Sequence, residues 1–294
     1  MSASGILVGV DGSPTSLAAV EWAARDAAMH NLPLTLVHVL APPVAMTFPE
    51  TPMPPGYTEW QREQGELHLR QAVKVAEAAA SPRVIAETAV GSTVATLVDM
   101  SRDATLLVVG SLGSGRIRRL LLGSVSSSLV QHAHCPVVVV HHDPDNQGPN
   151  PDTAPVVVGI DGSVDSEAAT ALAFDQASLR GVELIAVYAW HNPGLLEFAD
   201  IEIVAMASEG ELALAERLVG WRERYPDVTV RQVVVDDEPA DQLIAWSREA
   251  QLVVVGSHGR GGFAGMLLGS ISQAVVHSAH CPVVVVRPGS KHLS

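Results

Sequence analysis

Short apolar runs alternate with longer amphipathic stretches through most of this chain. Residues 5–10 form an apolar strand that ends at Asp11-Gly12-Ser13-Pro14. The Asp-Gly-Ser-Pro turn offers Ser13 as an N-cap and Pro14 as the first helical residue. From 15 to 30, Leu17, Val20, Ala24 and Ala27 or Ala28 recur near a 3.6-residue period, which predicts an amphipathic helix. The same reading gives strands over 34–40, 84–90, 106–110 and 137–140, and helices over 58–80, 94–101 and the segment after Gly123-Ser124. Between 41 and 55, Pro42, Pro43, Pro49, Pro52, Pro54 and Pro55 exclude regular structure and predict a long surface loop. Apolar runs without polar alternation are the mark of parallel strands covered on both faces. Their alternation with helices predicts a mainly parallel sheet with helices on both sides.

The pattern then restarts. Residues 141–155, HHDPDNQGPNPDTAP, read as a linker. Val156 opens a copy of the first strand, and Asp161-Gly162-Ser163 repeats Asp11-Gly12-Ser13. Residues 104–140 and 250–286 are identical at 22 of 37 positions. A repeat this close fixes the domain count. The expected layout is an α/β fold of two tandem Rossmann-like domains, each a five-stranded parallel sheet. They span 1–142 and 155–294, joined by a linker at 143–154.

Composition narrows the partners. Eighteen basic residues against thirty-two acidic ones give a net charge of −14, which argues against nucleic acid and against an anionic membrane surface. No apolar run reaches the ~18 residues of a membrane span, and the N-terminus has no secretory pattern. The two cysteines, Cys135 and Cys281, occupy equivalent positions and read as small buried hydrophobes. So few thiols suit a reducing cytoplasm.

The candidate chemistry is also duplicated. After its fourth strand each half carries Gly-x-x-Gly, nine residues, then Gly-Ser: Gly110, Gly113, Gly123 and Ser124 in the first half, Gly256, Gly259, Gly269 and Ser270 in the second. Glycines let backbone N–H groups come close to a ligand or adopt positive φ, and a helix N-terminus offers unpaired donors to an anion. The pattern predicts a phosphate cradle. It is not a Walker A loop, because no Gly-Lys-Ser/Thr is present. Gly259-x-Gly261-x-x-Ala264 resembles a dinucleotide fingerprint, but it follows the fourth strand and the first half does not repeat it. Asp11 and Asp161 end their first strands. In a parallel sheet they share the carboxyl edge with the glycine loop, where a carboxylate can accept ribose hydroxyls, hold a metal ion by the phosphates, or simply close a turn.

With Val-Asp-Gly-Ser after the first strand and Gly-x2-Gly-x9-Gly-Ser after the fourth, both halves resemble the universal stress protein family, in particular its tandem-domain members of mycobacterial and actinobacterial type. The resemblance implies ATP binding, with Mg2+ as a companion ion, dimerisation through the last strand, and a regulatory role under stress. It implies that Asp11 and Asp161 face the nucleoside and that Val39 and Ala189 meet the adenine through backbone groups. Phosphates would lie against Gly110, Gly113, Gly123, Ser124, Val125 and Ser126 in the first domain. In the second they would lie against Gly256, Gly259, Gly269, Ser270, Ile271 and Ser272. Within the motif, Val164 replaces Pro14, and the first loop carries Arg116, Arg118 and Arg119 against Arg260 alone.

Other features read as structural. His134 and His280 precede Cys-Pro at a helix end, where imidazole rings commonly meet free carbonyls. His132, His141, His142 and His277 lack the closed spacing of a metal site. Trp22, Trp60, Trp221 and Trp246 fall within predicted helices as packing residues. The leading function is a nucleotide-dependent sensor or switch with two ATP sites and no assigned catalytic residue. A slow ATPase or phosphotransferase, and an interaction scaffold with ligand-free loops, are the alternatives. The valine runs 137–140 and 283–286 predict that the domains pair through these strands, with Cys135 and Cys281 near the contact, and that homodimers form; the downstream protein partner is not legible.

Overall fold

The computed structural model describes residues 5–41, 56–80, 82–112, 122–142, 149–150, 152–190, 200–236, 238–259 and 267–289. The chain divides into two compact units, Met1–His142 and Asp143–Ser294. The predicted proline-rich loop lies outside the described residues from 42 to 55, and so do most of the linker, Gly113, Arg116, Arg118, Arg119 and Arg260.

The first unit runs β1 (Ile6–Gly9), α1 (Pro14–Met29), β2 (Leu34–Leu40), α2 (Tyr57–Ala79), β3 (Val84–Val90), α3 (Thr93–Met100), β4 (Leu106–Gly110), α4 (Ser124–His132) and β5 (Val137–Val140). Its strands lie in the order β3-β2-β1-β4-β5 and all pair in parallel. Right-handed crossovers then fix the layers. The chain steps outward from β1 to β3, so α1 and α2 cover one face. It returns to β4 and steps the other way, so α3 and α4 cover the opposite face. The α1–α2 and α3–α4 packing agrees. The reversal of direction falls between β1 and β4, where Ile6 registers with Leu34 on one side and Leu106 on the other.

The second unit repeats this as β6 (Val156–Ile160), α5 (Val164–Arg180), β7 (Leu184–Trp190), α6 (Asp200–Arg224), β8 (Val230–Asp236), α7 (Pro239–Trp246), β9 (Leu252–Gly256), α8 (Ser270–Ser278) and β10 (Val283–Val286). Its parallel order is β8-β7-β6-β9-β10.

The cores are aliphatic. Ala19, Ala23, Ala24 and Ala27 bury the inner face of α1, and small side chains let that helix lie close to the sheet. In the second unit Phe174 is fully buried and stacks on Trp221 at 6.0 Å and Tyr225 at 5.6 Å. Trp60 departs from its expected packing role. It is 55% exposed, tilted against Tyr57 near the start of α2. Cys135 and Cys281 are buried thiols that form no disulfide. Among the described residues no helix is long and apolar enough to cross a membrane.

Candidate functional site

Where the strand order of the first unit reverses, a cleft of about 450 Å³ opens at the carboxyl edge of the sheet. Val10 and Asp11 continue β1 into it, Val37, His38 and Val39 come from β2, and Thr93 and Leu97 come from α3. Gly110 ends β4 beneath it, and Gly123 to Ser126 bring the start of α4 to its side. Of the residues expected in the first site, Asp11, Val39, Gly110, Gly123, Ser124, Val125 and Ser126 therefore share one cavity; Gly113 lies outside the described residues.

The acidic turn is built identically in both units. Asp11 Oδ1 accepts from the Ser13 amide at 2.9 Å and the Ser13 hydroxyl at 2.6 Å. Asp161 Oδ1 accepts from Ser163 at 2.9 and 2.7 Å. Gly12 and Gly162 both take φ +78°, so positive φ in these sites belongs to the Asp-Gly-Ser turn. Asp161 also reaches the glycine loop. A Cβ at Gly259 would stand 2.5 Å from its Oδ2.

The loop glycines work by close approach. Gly123 and Gly269 have φ −61° and −68°, which any residue adopts, so the expectation of positive φ does not hold for them. What matters is space. A Cβ on Gly269 would lie 3.3 Å from the Ser257 carbonyl oxygen and 3.4 Å from the His258 Cα. Each of these glycines also donates its amide to the carbonyl of the serine that follows the strand, Ser111 or Ser257, at 2.8 Å. As N-caps they have no side chain to satisfy the first turn of α4 or α8, which leaves those helix starts without a side-chain cap.

Gly110 and Gly256 have a further reason to be glycine. A Cβ at Gly110 would meet the Thr15 carbonyl carbon at 2.7 Å and the Ser16 nitrogen at 2.9 Å; at Gly256 it would meet Asp165 at 2.8 Å. They allow the first turn of α1 or α5 to lie against the end of the strand. Ser126 and Ser272, expected at the phosphates, are buried. Ser126 donates to the carbonyls of Gly123 at 2.9 Å and Ser111 at 3.1 Å, and Ser272 to Gly256 at 2.6 Å. Their hydroxyl protons tie the helix start to the strand end, leaving only lone pairs to face elsewhere.

In the second unit Ser270 and Ile271 border a shallower groove of about 290 Å³ with Glu238, Pro239 and Asp241. Ala189 lies on β7 in register with Val235, and its side chain is outside the described set.

Several neighbours of the cleft carry no motif and were not expected. His38 lines it, with Nδ1 2.7 Å from the Val10 carbonyl oxygen, and its ring meets His68 edge-on at 5.3 Å. The His68 ring lies against Gly12, and burial followed by the neighbouring His38 holds its pKa below the usual imidazole value, with Asp11 opposing. Arg217 occupies the corresponding place over Gly162. Thr15 donates its hydroxyl to the Leu112 carbonyl, whereas Asp165 in the second unit accepts from the Ser257 hydroxyl at 2.6 Å and the His258 amide at 2.8 Å. The one visible signal was the change from Thr15 to Asp165, beside the change from Pro14 to Val164, within the repeated Asp-Gly-Ser turn.

His134 and His280 correct another expectation. Their rings are exposed, and it is their backbone amides that are used, donating to Ser101 Oγ and Ser247 Oγ at 2.9 Å. Among the described residues no group of three His, Cys, Asp or Glu side chains could hold a metal ion.

The fold and this edge define a doubly wound, Rossmann-like α/β protein in tandem, with a strand-end acid and a glycine loop meeting at each topological switch. The chain belongs to the universal stress protein family, whose model matches residues 4–141 and 153–287. It is similar to universal stress protein Rv2623 of Mycobacterium tuberculosis, with 53% identity over 290 residues and 97% of each chain covered. It is also similar to universal stress protein Rv2005c of the same organism, 54% identical over 287 residues, covering 96% of this chain and 97% of the relative. A crystal structure of a universal stress protein from Archaeoglobus fulgidus shares the fold, with TM-score 0.71 at 22% identity, covering 98% of this chain and 100% of that one.

Proposed function

We propose that the chain is an ATP-binding regulatory protein of the stress response, with one nucleotide site in each unit. The observation that carries this reading is the meeting of Asp11, Val39, Gly110 and the start of α4 in a single cleft. The residues fit the group. Gly269 leaves a space that a Cβ would fill, and the uncapped first turns of α4 and α8 present N–H donors and the positive end of a helix dipole, suited to phosphate. Asp11 and Asp161, each fixed by its serine turn, would take the ribose hydroxyls or a Mg2+ beside the phosphates. The apolar side chains of Val10, Val37 and Leu97 suit the face of an adenine, whose edge Val39 would meet through its backbone. ATP would supply a charge that changes on hydrolysis or exchange, and the protein would read its presence.

Two buried thiols without a disulfide suit a cytoplasmic setting. β5 and β10 each stand last in the strand order of their own unit. We take them as the surfaces through which the domains pair, and homodimers as the working assembly. The test of the nucleotide reading is to denature purified protein and identify released small molecules by mass. ATP at up to two equivalents supports it. No copurified nucleotide, together with no ATP binding by calorimetry, leaves an interaction scaffold. Phosphate release at steady state would instead make it a slow ATPase.

A further inference from the structure

Resting on that nucleotide reading, we infer that the two sites select different ligands: the first takes a nucleoside triphosphate, and the second a nucleoside or nucleoside monophosphate, with Asp165 as the residue that sets the difference. Asp165 projects from the first turn of α5 into the Gly256-x-x-Gly259 turn. Its Oδ2 accepts from the Ser257 hydroxyl at 2.6 Å, the His258 amide at 2.8 Å and, more loosely, His258 Nδ1 at 3.3 Å. The side chain is 12% exposed. A fixed carboxylate thus sits inside the element expected to cradle phosphates, and it holds one of that element's amide protons. At the matching position the first unit has neutral Thr15, which bonds the loop carbonyl instead of a loop amide.

The rim follows the same trend. The groove at the start of α8 is bordered by Glu238 and Asp241, where the first unit has Ser92 and Ala95. The second unit also carries cations. Arg217 lies over Gly162, at the acidic turn, and Arg287 donates to the Leu267 carbonyl at 3.3 Å, at the end of the loop, where the Asp165 carboxylate acts on its charge. Arg287 offsets one negative charge, but Asp165, Glu238 and Asp241 are three acidic side chains where the first unit has Thr15, Ser92 and Ala95, an excess that penalises each added phosphate more than the nucleoside.

The experiment measures ATP and AMP affinities by calorimetry on the full chain. Asp11→Ala isolates the second site and Asp161→Ala the first. The expected ratio of ATP to AMP dissociation constants is about tenfold or more larger at the second site, the scale of one partly buried charge. Asp165→Thr should bring that ratio down to the value of the first site, and Thr15→Asp should raise the ratio at the first. Asp165→Asn keeps an acceptor for the His258 amide while removing the charge, so it should act like Asp165→Thr even if the threonine variant folds poorly. Equal ratios at the two sites, or a second-site ratio unmoved by both Asp165 variants, overturn the inference while leaving the nucleotide reading standing. Failure of the parent protein to bind either nucleotide overturns both.

Discussion

A methyl group added at Gly110 would press on the Thr15 carbonyl carbon at 2.7 Å, against backbone that cannot rotate away. Gly110→Ala should therefore destabilise the fold by about 1–3 kcal/mol, the usual cost of overpacking, and a urea midpoint measures it. Gly269→Ala meets a carbonyl oxygen at 3.3 Å, a contact that a slight shift relieves. It should leave the midpoint nearly unchanged and weaken nucleotide binding instead. Asp11→Ala should cost about 1–3 kcal/mol of ATP affinity at the first site, the scale for losing a charged hydrogen-bond partner. Parental affinity in a folded Asp11→Ala protein would reduce Asp11 to a turn residue. Cys281 adds a pH effect. Burial pushes its thiol from 9.0 up to about 12. The folded state then holds a proton that the unfolded chain releases, so this contribution is complete below pH 9 and is lost as pH rises toward 12. The slope is about 1.4 kcal/mol per pH unit at most. Stability measured at pH 8 and pH 10.5 should fall less in Cys281→Ala than in the parent.

At the level of elements, periodicity placed the strands and helices of the first unit within about a residue, because β1, β4 and β5 are unbroken apolar runs and α1 to α4 each follow a serine or a glycine. Ser13 illustrates this. Its hydroxyl accepts from the Ser16 amide at 3.2 Å, as the Asp-Gly-Ser-Pro turn predicts. The motif residues of the site were legible for the same reason, since topology brings the ends of β1 and β4 to one edge. His68 and Arg217 were not, because they reach the site from the middle of α2 and α6, and no local pattern says which helical side chain will overhang a distant glycine. Nor could spacing tell that Ser126 and Ser272 turn inward. That inward turn has a measurable effect. Ser126→Ala removes bonds to two carbonyls and should cost roughly 1 kcal/mol of stability in the absence of ligand. Thermal unfolding of ligand-free protein checks this, and an unchanged midpoint would return the hydroxyl to the ligand.

For the whole molecule, the proposal that matters most is pairing through β5 and β10. Both are four-valine strands at the end of their unit's order, and an apolar strand edge invites another strand. Val138→Lys combined with Val284→Lys should separate the domains or provoke aggregation, seen as an enlarged radius of gyration in solution scattering. A compact particle of unchanged size would refute the pairing. Sequence duplication announced two domains, and the copies have diverged around the sites, among other places at Thr15 and Asp165 and at His68 and Arg217.

The bond from Gly123 to Ser111, and its twin from Gly269 to Ser257, close a ring in the chain at each glycine loop. Whatever lies between those anchors is attached to the fold at two fixed points. Residues 112–122 and 258–268 are equal in length. They can thus be exchanged as cassettes, and a lineage could rewrite the recognition properties of one half while the sheet beneath stays the same.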